Sequence, residues 1–351
     1  MWNFKSCYIY GAGNAGKLIF EVLQNHGITA AACLDRSPEE KTCGNIKVLS
    51  PDDPGIDRTM PIIIGVYNPA PDADHYCIAE FLKQLGFNTI IPFLKFYVDF
   101  YDKIGDYNNL SSSDFYRDHQ AEIQAADGLW ADEKSRLLYQ QQIAAKSRGE
   151  LSGDFQIEAH CQYFPSDVPF LKSGLKFADL GAYDGDTIAE FICHGLSLEQ
   201  VWAFEPDPEN FRKLSTRIKN LNSKFPITLF PCGVGDFTGQ VNFCTSGDLG
   251  SHVAQEGVSI PVCRLDDILF GEFPNYIKLD IEGFEEAALN GMRKIITQYH
   301  PMLAICVYHK PEDIFRIPLL LNSWEYPGNF YLRQHCGNFF ETVCYAIPTT
   351  L

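Results

Sequence analysis

Three groups of residues in this 351-residue chain have the types and spacing that chemistry needs. The densest is Asp179-Leu180-Gly181-Ala182-Tyr183-Asp184-Gly185-Asp186-Thr187, followed by Glu205. Gly181 and Gly185 let the backbone turn sharply and approach a ligand closely. A carboxylate about 20 residues past such a turn is where a doubly wound sheet meets ribose hydroxyls. Together these features imply an adenosine-containing cofactor. Charge then selects which one. Asp179, Asp184 and Asp186 would repel a pyrophosphate, whereas S-adenosylmethionine carries no phosphate and brings a sulfonium and an ammonium. The turn reads as a methyl-donor site, although helix capping is a competing role for Asp184 and Asp186.

The second group is Lys278, Asp280, Glu282 and His309. Ligands of such sheets sit outside the carboxyl ends of the strands, and Asp280, Glu282 and His309 all end strands there. Methyl transfer from a sulfonium is an in-line displacement in which positioning supplies most of the acceleration. An alcohol acceptor also benefits from a base near neutral pH, and His309 has the intrinsic pKa for it. A structural hydrogen-bonding role for His309 stays open. Lys278 is read as the ion-pair partner that orders the two carboxylates. Asp280 and Glu282 are hard oxygen ligands, so a divalent metal is admitted, but two ligands do not define a site. Asp266-Asp267 reads as a turn and helix cap.

The third group is Gly11, Gly13, Asn14 and Gly16, with Asp35 beyond. This is a dinucleotide-type glycine fingerprint in its strand-turn-helix-strand context. It predicts either phosphate on the helix N-terminus or glycines that serve only a tight turn and close packing.

The elements that must position these groups follow from periodicity. Cys7–Tyr10, Ala30–Leu34, Pro61–Val66 and Thr89–Ile91 read as strands alternating with helices, which makes residues 1–96 a small Rossmann-like α/β domain expected to fold on its own. Residues 97–161 read as a helical bridge. Residues 162–351 alternate again, with a hairpin insertion between Phe237 and Val262 that includes Gly247, Gly250 and Gly257. A final hairpin pairs Tyr331-Leu332 with Val343–Ile347.

Composition bounds the alternatives. A net charge of −17 without clustered Lys or Arg argues against nucleic acid as a partner. No apolar run approaches the roughly 20 residues of a membrane span. Twelve cysteines without C-x-x-C spacing and no export signal predict free thiols in the cytoplasm. A homo-oligomer is compatible with the sequence.

At Asp179–Thr187, Phe204-Glu205-Pro206, Leu265-Asp266-Asp267 and Ile277-Lys278-Leu279-Asp280-Ile281-Glu282-Gly283, the chain resembles the FkbM family of S-adenosylmethionine-dependent methyltransferases over roughly residues 162 to 347. The resemblance implies a class I methyltransferase fold: a seven-stranded, mostly parallel sheet with an antiparallel final hairpin. It also implies O-methylation of a sugar, glycan-precursor or polyketide hydroxyl. Carried onto matching positions, it puts Asp179 and Gly181 beside the methionine part of the cofactor. Ala182, Tyr183, Asp184, Gly185 and Thr187 would form the turn around it, and Glu205 would take the ribose. Val234 and Asp236 would border adenine. The N-terminal domain lies outside the resemblance. A different class of reading therefore stands beside it: a nucleotide-sugar or dinucleotide sensor or oxidoreductase built on the first fingerprint.

Overall fold

The computed structural model describes residues 2–38, 42–151, 157–158, 161–221, 223–244, 252–253, 258–269 and 271–350. The chain forms two compact units. One comprises Met1–Ile123, Leu137–Ala159 and Gln334–Glu341, the other Gln124–Arg136, His160–Arg333 and Thr342–Leu351. Residues 97–161, read from the sequence as a bridge, are thus divided between the two.

The first unit is built on β1 (Ser6–Tyr10), β2 (Thr29–Leu34), β3 (Val48–Leu49), β4 (Ile62–Ile64) and β5 (Ile90–Ile91). They form one sheet in the order β3-β2-β1-β4-β5, every pair parallel. Apolar positions recur along the helix Asn14–Asn25 so that Ile19, Phe20, Val22 and Leu23 are buried. They join Ile9, Cys33 and Ile63 in a core that also takes Phe93, Phe96 and Tyr97 from the helix Phe93–Asp99, together with Leu110, Ala145 and Phe339. Burying these large side chains is why segments beyond residue 96 belong to this unit. Ser112 caps the helix Ser113–Asp118: its Oγ accepts the Phe115 amide at 2.8 Å.

The second unit carries β6 (Leu175–Leu180), β7 (Leu198–Phe204), β8 (Ile227–Phe230), β9 (Gly233–Val234), β10 (Gly239–Cys244), β11 (His252–Val253), β12 (Val258–Cys263), β13 (Tyr276–Leu279), β14 (Met302–Cys306), β15 (Gly328–Gln334) and β16 (Thr342–Pro348). Seven of them form a sheet in the order β15-β16-β14-β13-β6-β7-β8. Strands β8, β7, β6, β13 and β14 run parallel, and β16 is antiparallel to β14. This is the class I methyltransferase order that the sequence implies. The strand direction of travel reverses at β6, whose neighbours are β7 and β13, so the ligand crevice opens at its carboxyl end.

The insertion forms a separate small sheet, β11-β10-β12-β9, with β10 and β12 antiparallel. Gly247, Gly250 and Gly257 lie outside the described residues. Asp266 is a cap, as expected, but for a helix farther along the chain. Its two oxygens accept the amides of Lys294 (3.1 Å) and Ile295 (3.0 Å), in the first turn of Arg293–Tyr299. Among the described residues no helix is long and apolar enough to cross a membrane.

Candidate active site

The Asp179–Thr187 stretch turns as its glycines require. Gly181 sits at φ +80°, where a Cβ would lie 1.8 Å from the carbonyl oxygen of Asp280, so the ends of β6 and β13 touch through backbone alone. Gly185, at φ +85°, would press a Cβ onto Leu214 at 2.9 Å. The amides of Gly181 and Ala182 both donate to the carbonyl of Phe204, which fixes the turn against the end of β7. Glu205 follows and is buried. Its Oε2 accepts the Tyr183 amide and its Oε1 the Asp207 amide, each at 2.8 Å. Burial pushes the Glu205 carboxyl up to about 7, against the pull of those two amides. Each oxygen keeps a second acceptor position, so the carboxylate can fasten the turn and still receive hydroxyls.

Asp179 and Lys278 face each other one register step before the strand ends, both fully or nearly fully buried. Their Nζ–Oδ1 distance is 3.1 Å, and Lys278 Nζ donates to the Gly181 carbonyl at 2.5 Å. Burial pushes Asp179 up to about 6 despite the lysine. Burial alone would favour a neutral Lys278, but Asp179 and Asp280 hold it above the ordinary lysine range. The pair is therefore ionised at neutral pH. Asp179 Oδ2 has no partner in this structure, and Oδ1 has Lys278 alone. A buried carboxylate with acceptor positions to spare, beside a glycine cradle that a Cβ would fill, fits a ligand bearing an ammonium.

One strand over, Asp280 ends β13 and receives two phenols: Tyr163 Oη donates to Oδ2 at 3.0 Å and Tyr308 Oη to Oδ1 at 3.4 Å. His309 Nε2 points between two carboxylates, 3.4 Å from Asp280 Oδ1 and 3.6 Å from Glu282 Oε2. Its Nδ1 meets Glu285 Oε1 at 2.9 Å, and that oxygen also accepts the Ile281 amide. Burial would favour neutral imidazole, yet Glu285, Asp280 and Glu282 together push His309 up to about 10. Asp280 is held below the usual carboxylate range because Lys278 and His309 outweigh its own desolvation. Behind this group, burial and the nearness of Glu285 push Asp313 up to about 8.

The upward shift of His309 favours the imidazolium at neutral pH. A cation holding carboxylates together therefore stands beside the general base expected of His309. A divalent metal at Asp280 and Glu282 would compete with the same imidazolium.

Other expected residues are dispersed. Asp184 bonds to the Arg217 guanidinium, whose Nε also donates to the Asp184 carbonyl at 2.9 Å, so its charge is taken up within the fold. Asp186 is exposed in the first turn of the helix Asp186–Cys193 and accepts the Thr187 amide, while the N-cap is Gly185 with no side-chain cap. Val234 lies in β9 opposite Cys263 of β12 and Asp236 is exposed beyond it; a Cβ on the adjacent Gly233 would lie 4.0 Å from Pro206, the residue after Glu205. Sequence reasoning missed Tyr163, Tyr308, Glu285 and Arg217. Only Tyr308 carried a signal, as the neighbour of a strand-end histidine.

With this geometry in place, comparison with known proteins is informative. Residues 179–328 match the family model described as the methyltransferase FkbM domain. A hexuronic acid methyltransferase, AglP, of Haloferax volcanii is 28% identical over 143 residues, which is 38% of this chain and 58% of that protein. The chain thus spans less than two thirds of that relative. The crystal structure of methyltransferase FkbM from Methylobacillus flagellatus KT superposes with a TM-score of 0.76 at 21% identity, covering 98% of this chain and 90% of that one. That likeness of fold extends over both units, whereas the sequence resemblance began near residue 162. Residues 179–328 thus carry the signature of a methyltransferase FkbM domain, and the chain shares the fold of that crystal structure.

Proposed function

We propose that the chain transfers a methyl group from S-adenosylmethionine to a hydroxyl of a sugar or glycan precursor. The observation that carries this reading is the carboxylate pair Asp280 and Glu282, held by His309 and two tyrosines one strand from the Gly181–Glu205 turn. When bound, the cofactor supplies an electrophilic methyl on sulfur. Glu205 accepts its ribose hydroxyls, and Asp179 receives the ammonium of its methionine part. Asp280 and Glu282 orient the acceptor hydroxyl and take its proton, while His309 keeps their charges from repelling one another. The hexuronic acid methyltransferase among the relatives supports a sugar as acceptor. The direct test is incubation with methyl-labelled S-adenosylmethionine and nucleotide-linked hexoses or hexuronic acids. Mass spectrometry would show a gain of one methyl that resists mild base, as an ether does and an ester does not. Methylation on a carboxyl or nitrogen instead would overturn the O-methyl assignment.

Cofactor affinity should also report Glu205. Glu205→Gln is expected to weaken S-adenosylhomocysteine binding by roughly 1.5–3 kcal/mol, the worth of a charge-assisted hydrogen bond. Because the unliganded carboxyl titrates near 7, wild-type affinity should rise about tenfold from pH 6 to pH 8. The glutamine variant should keep only the roughly twofold rise that Asp179, titrating near 6, contributes. Calorimetry at several pH values decides this, and a flat wild-type profile would remove Glu205 from the ribose site.

A further inference from the structure

The first unit holds a cavity of about 550 Å³ at the carboxyl end of its own sheet. It opens where β1 lies between β2 and β4, which is that sheet's switch point. Gly11, Gly13, Asn14, Asp35, Arg36 and Tyr67 line it. Packing explains three of the glycines nearby. A Cβ on Gly16 would lie 1.8 Å from the Gly11 carbonyl oxygen, one on Gly65 2.7 Å from the Gly16 Cα, and one on Gly11 2.5 Å from Val66. Gly13 is different. Its φ of −78° suits any residue, and a Cβ there would meet nothing within 4 Å. The fold does not need a glycine at 13, but a ligand's close approach does.

Gly13 is also the N-cap of the twelve-residue helix Asn14–Asn25, which has no side-chain cap and no acid in its first turn. Its leading amides therefore face the cavity edge without a side-chain acceptor. Asp35, at the end of β2, accepts the amides of Ala12 and Ser37 at 2.9 Å each. That repeats the way Glu205 fastens its own turn, and again leaves acceptor positions for hydroxyls. Arg36 adds a cation 3.8 Å from Asp72. Behind the lining residue Tyr67, buried Asn109 accepts its hydroxyl at 2.8 Å and holds that ring in place. The Gly11–Gly16 turn carries no charged side chain where the methyl-donor turn carries three aspartates, and the lining beyond it sets Arg36 against Asp35 and Asp72.

We propose that this cavity binds a nucleoside diphosphate, with the diphosphate on the amides of Gly13 to Gly16 and the ribose hydroxyls on Asp35. Its volume falls within the range of small-molecule sites. Nucleotide-sugars and dinucleotides share this chemistry. The site stands independently of the methyl-transfer reading.

The test is calorimetry on the full chain with UDP, a UDP-hexose and NADH, each with and without saturating S-adenosylhomocysteine. We expect one UDP-type or NADH ligand per chain whose affinity S-adenosylhomocysteine does not change; base preference then names the source. Gly13→Asp installs a favoured N-cap, so Tm should hold or rise. Its charge on the diphosphate position should weaken binding about tenfold or more. Gly13→Ser, a neutral cap, should weaken it less. The proposal is overturned if no nucleotide binds, if S-adenosylhomocysteine displaces the bound one, or if binding survives unchanged in a folded Gly13→Asp variant.

Discussion

Asp280→Ala is expected to lower turnover roughly 10²–10⁴-fold, the span of a positioned proton acceptor, with S-adenosylhomocysteine affinity changed by less than about threefold. In the proposed function this carboxylate serves the acceptor, while Glu205 and Asp179 serve the donor. A fall in turnover that merely tracks lost cofactor binding would show that the two edges are not separate. The pH profile is the sharper discriminant. His309 stays protonated until about pH 10, so wild-type turnover should be level from pH 7 to 9. In His309→Gln, Asp280 loses one of the two cations that depress it, and the acid limb should move to higher pH. Should wild-type log turnover instead climb with unit slope through pH 6.5 and then level, neutral His309 is the base after all.

The largest effect on stability is expected at Lys278. Replacing it by methionine leaves Asp179 buried without its cation and the Gly181 carbonyl without its donor, which costs about 3–5 kcal/mol. The sign of the pH dependence follows from Asp179. Its pKa, already raised to about 6 by burial, rises further when the lysine is gone. The variant then holds a proton that the unfolded chain releases, and its deficit grows from pH 5 to pH 8. Denaturant unfolding at the two ends of that range measures it. Asp179→Leu combined with Lys278→Met should recover part of the loss, because the pair would be removed together. No recovery and no pH dependence would mean that the methionine disrupts packing alone.

Much of this was legible before the structure. Strand positions, the Gly181 turn and Glu205 are local or periodic features: an apolar run, a glycine that must adopt positive φ, a carboxylate at a fixed spacing; strand order came only with the family resemblance. The braces around the acceptor edge are not. Tyr163 reaches Asp280 across 117 positions and Arg217 reaches Asp184 across 33, and nothing in either neighbourhood announces the pairing. His309 shows the limit most clearly. Its place at a strand end was readable, but its protonation depends on Glu285, Asp280 and Glu282 arriving from another segment. Composition assigns a histidine its intrinsic pKa; only the fold reverses it.

The first unit takes its last piece, Gln334–Glu341, from near the end of the chain. Phe339 enters its core. Asn338 Nδ2 donates to the Ala73 carbonyl at 2.7 Å, and Asn338 Oδ1 lies 3.2 Å from His75 Nδ1. On the ribosome, Met1–Ile123 therefore emerge well before Gln334–Glu341, and until then their core lacks Phe339. The same threading bears on dissection by cloning. A fragment ending at 96 lacks Phe339 and Asn338. One beginning at 162 lacks Asp132 and Ser135, which hold the buried Arg333 at 2.7 and 2.9 Å. Neither half of the gene encodes a finished half of the protein.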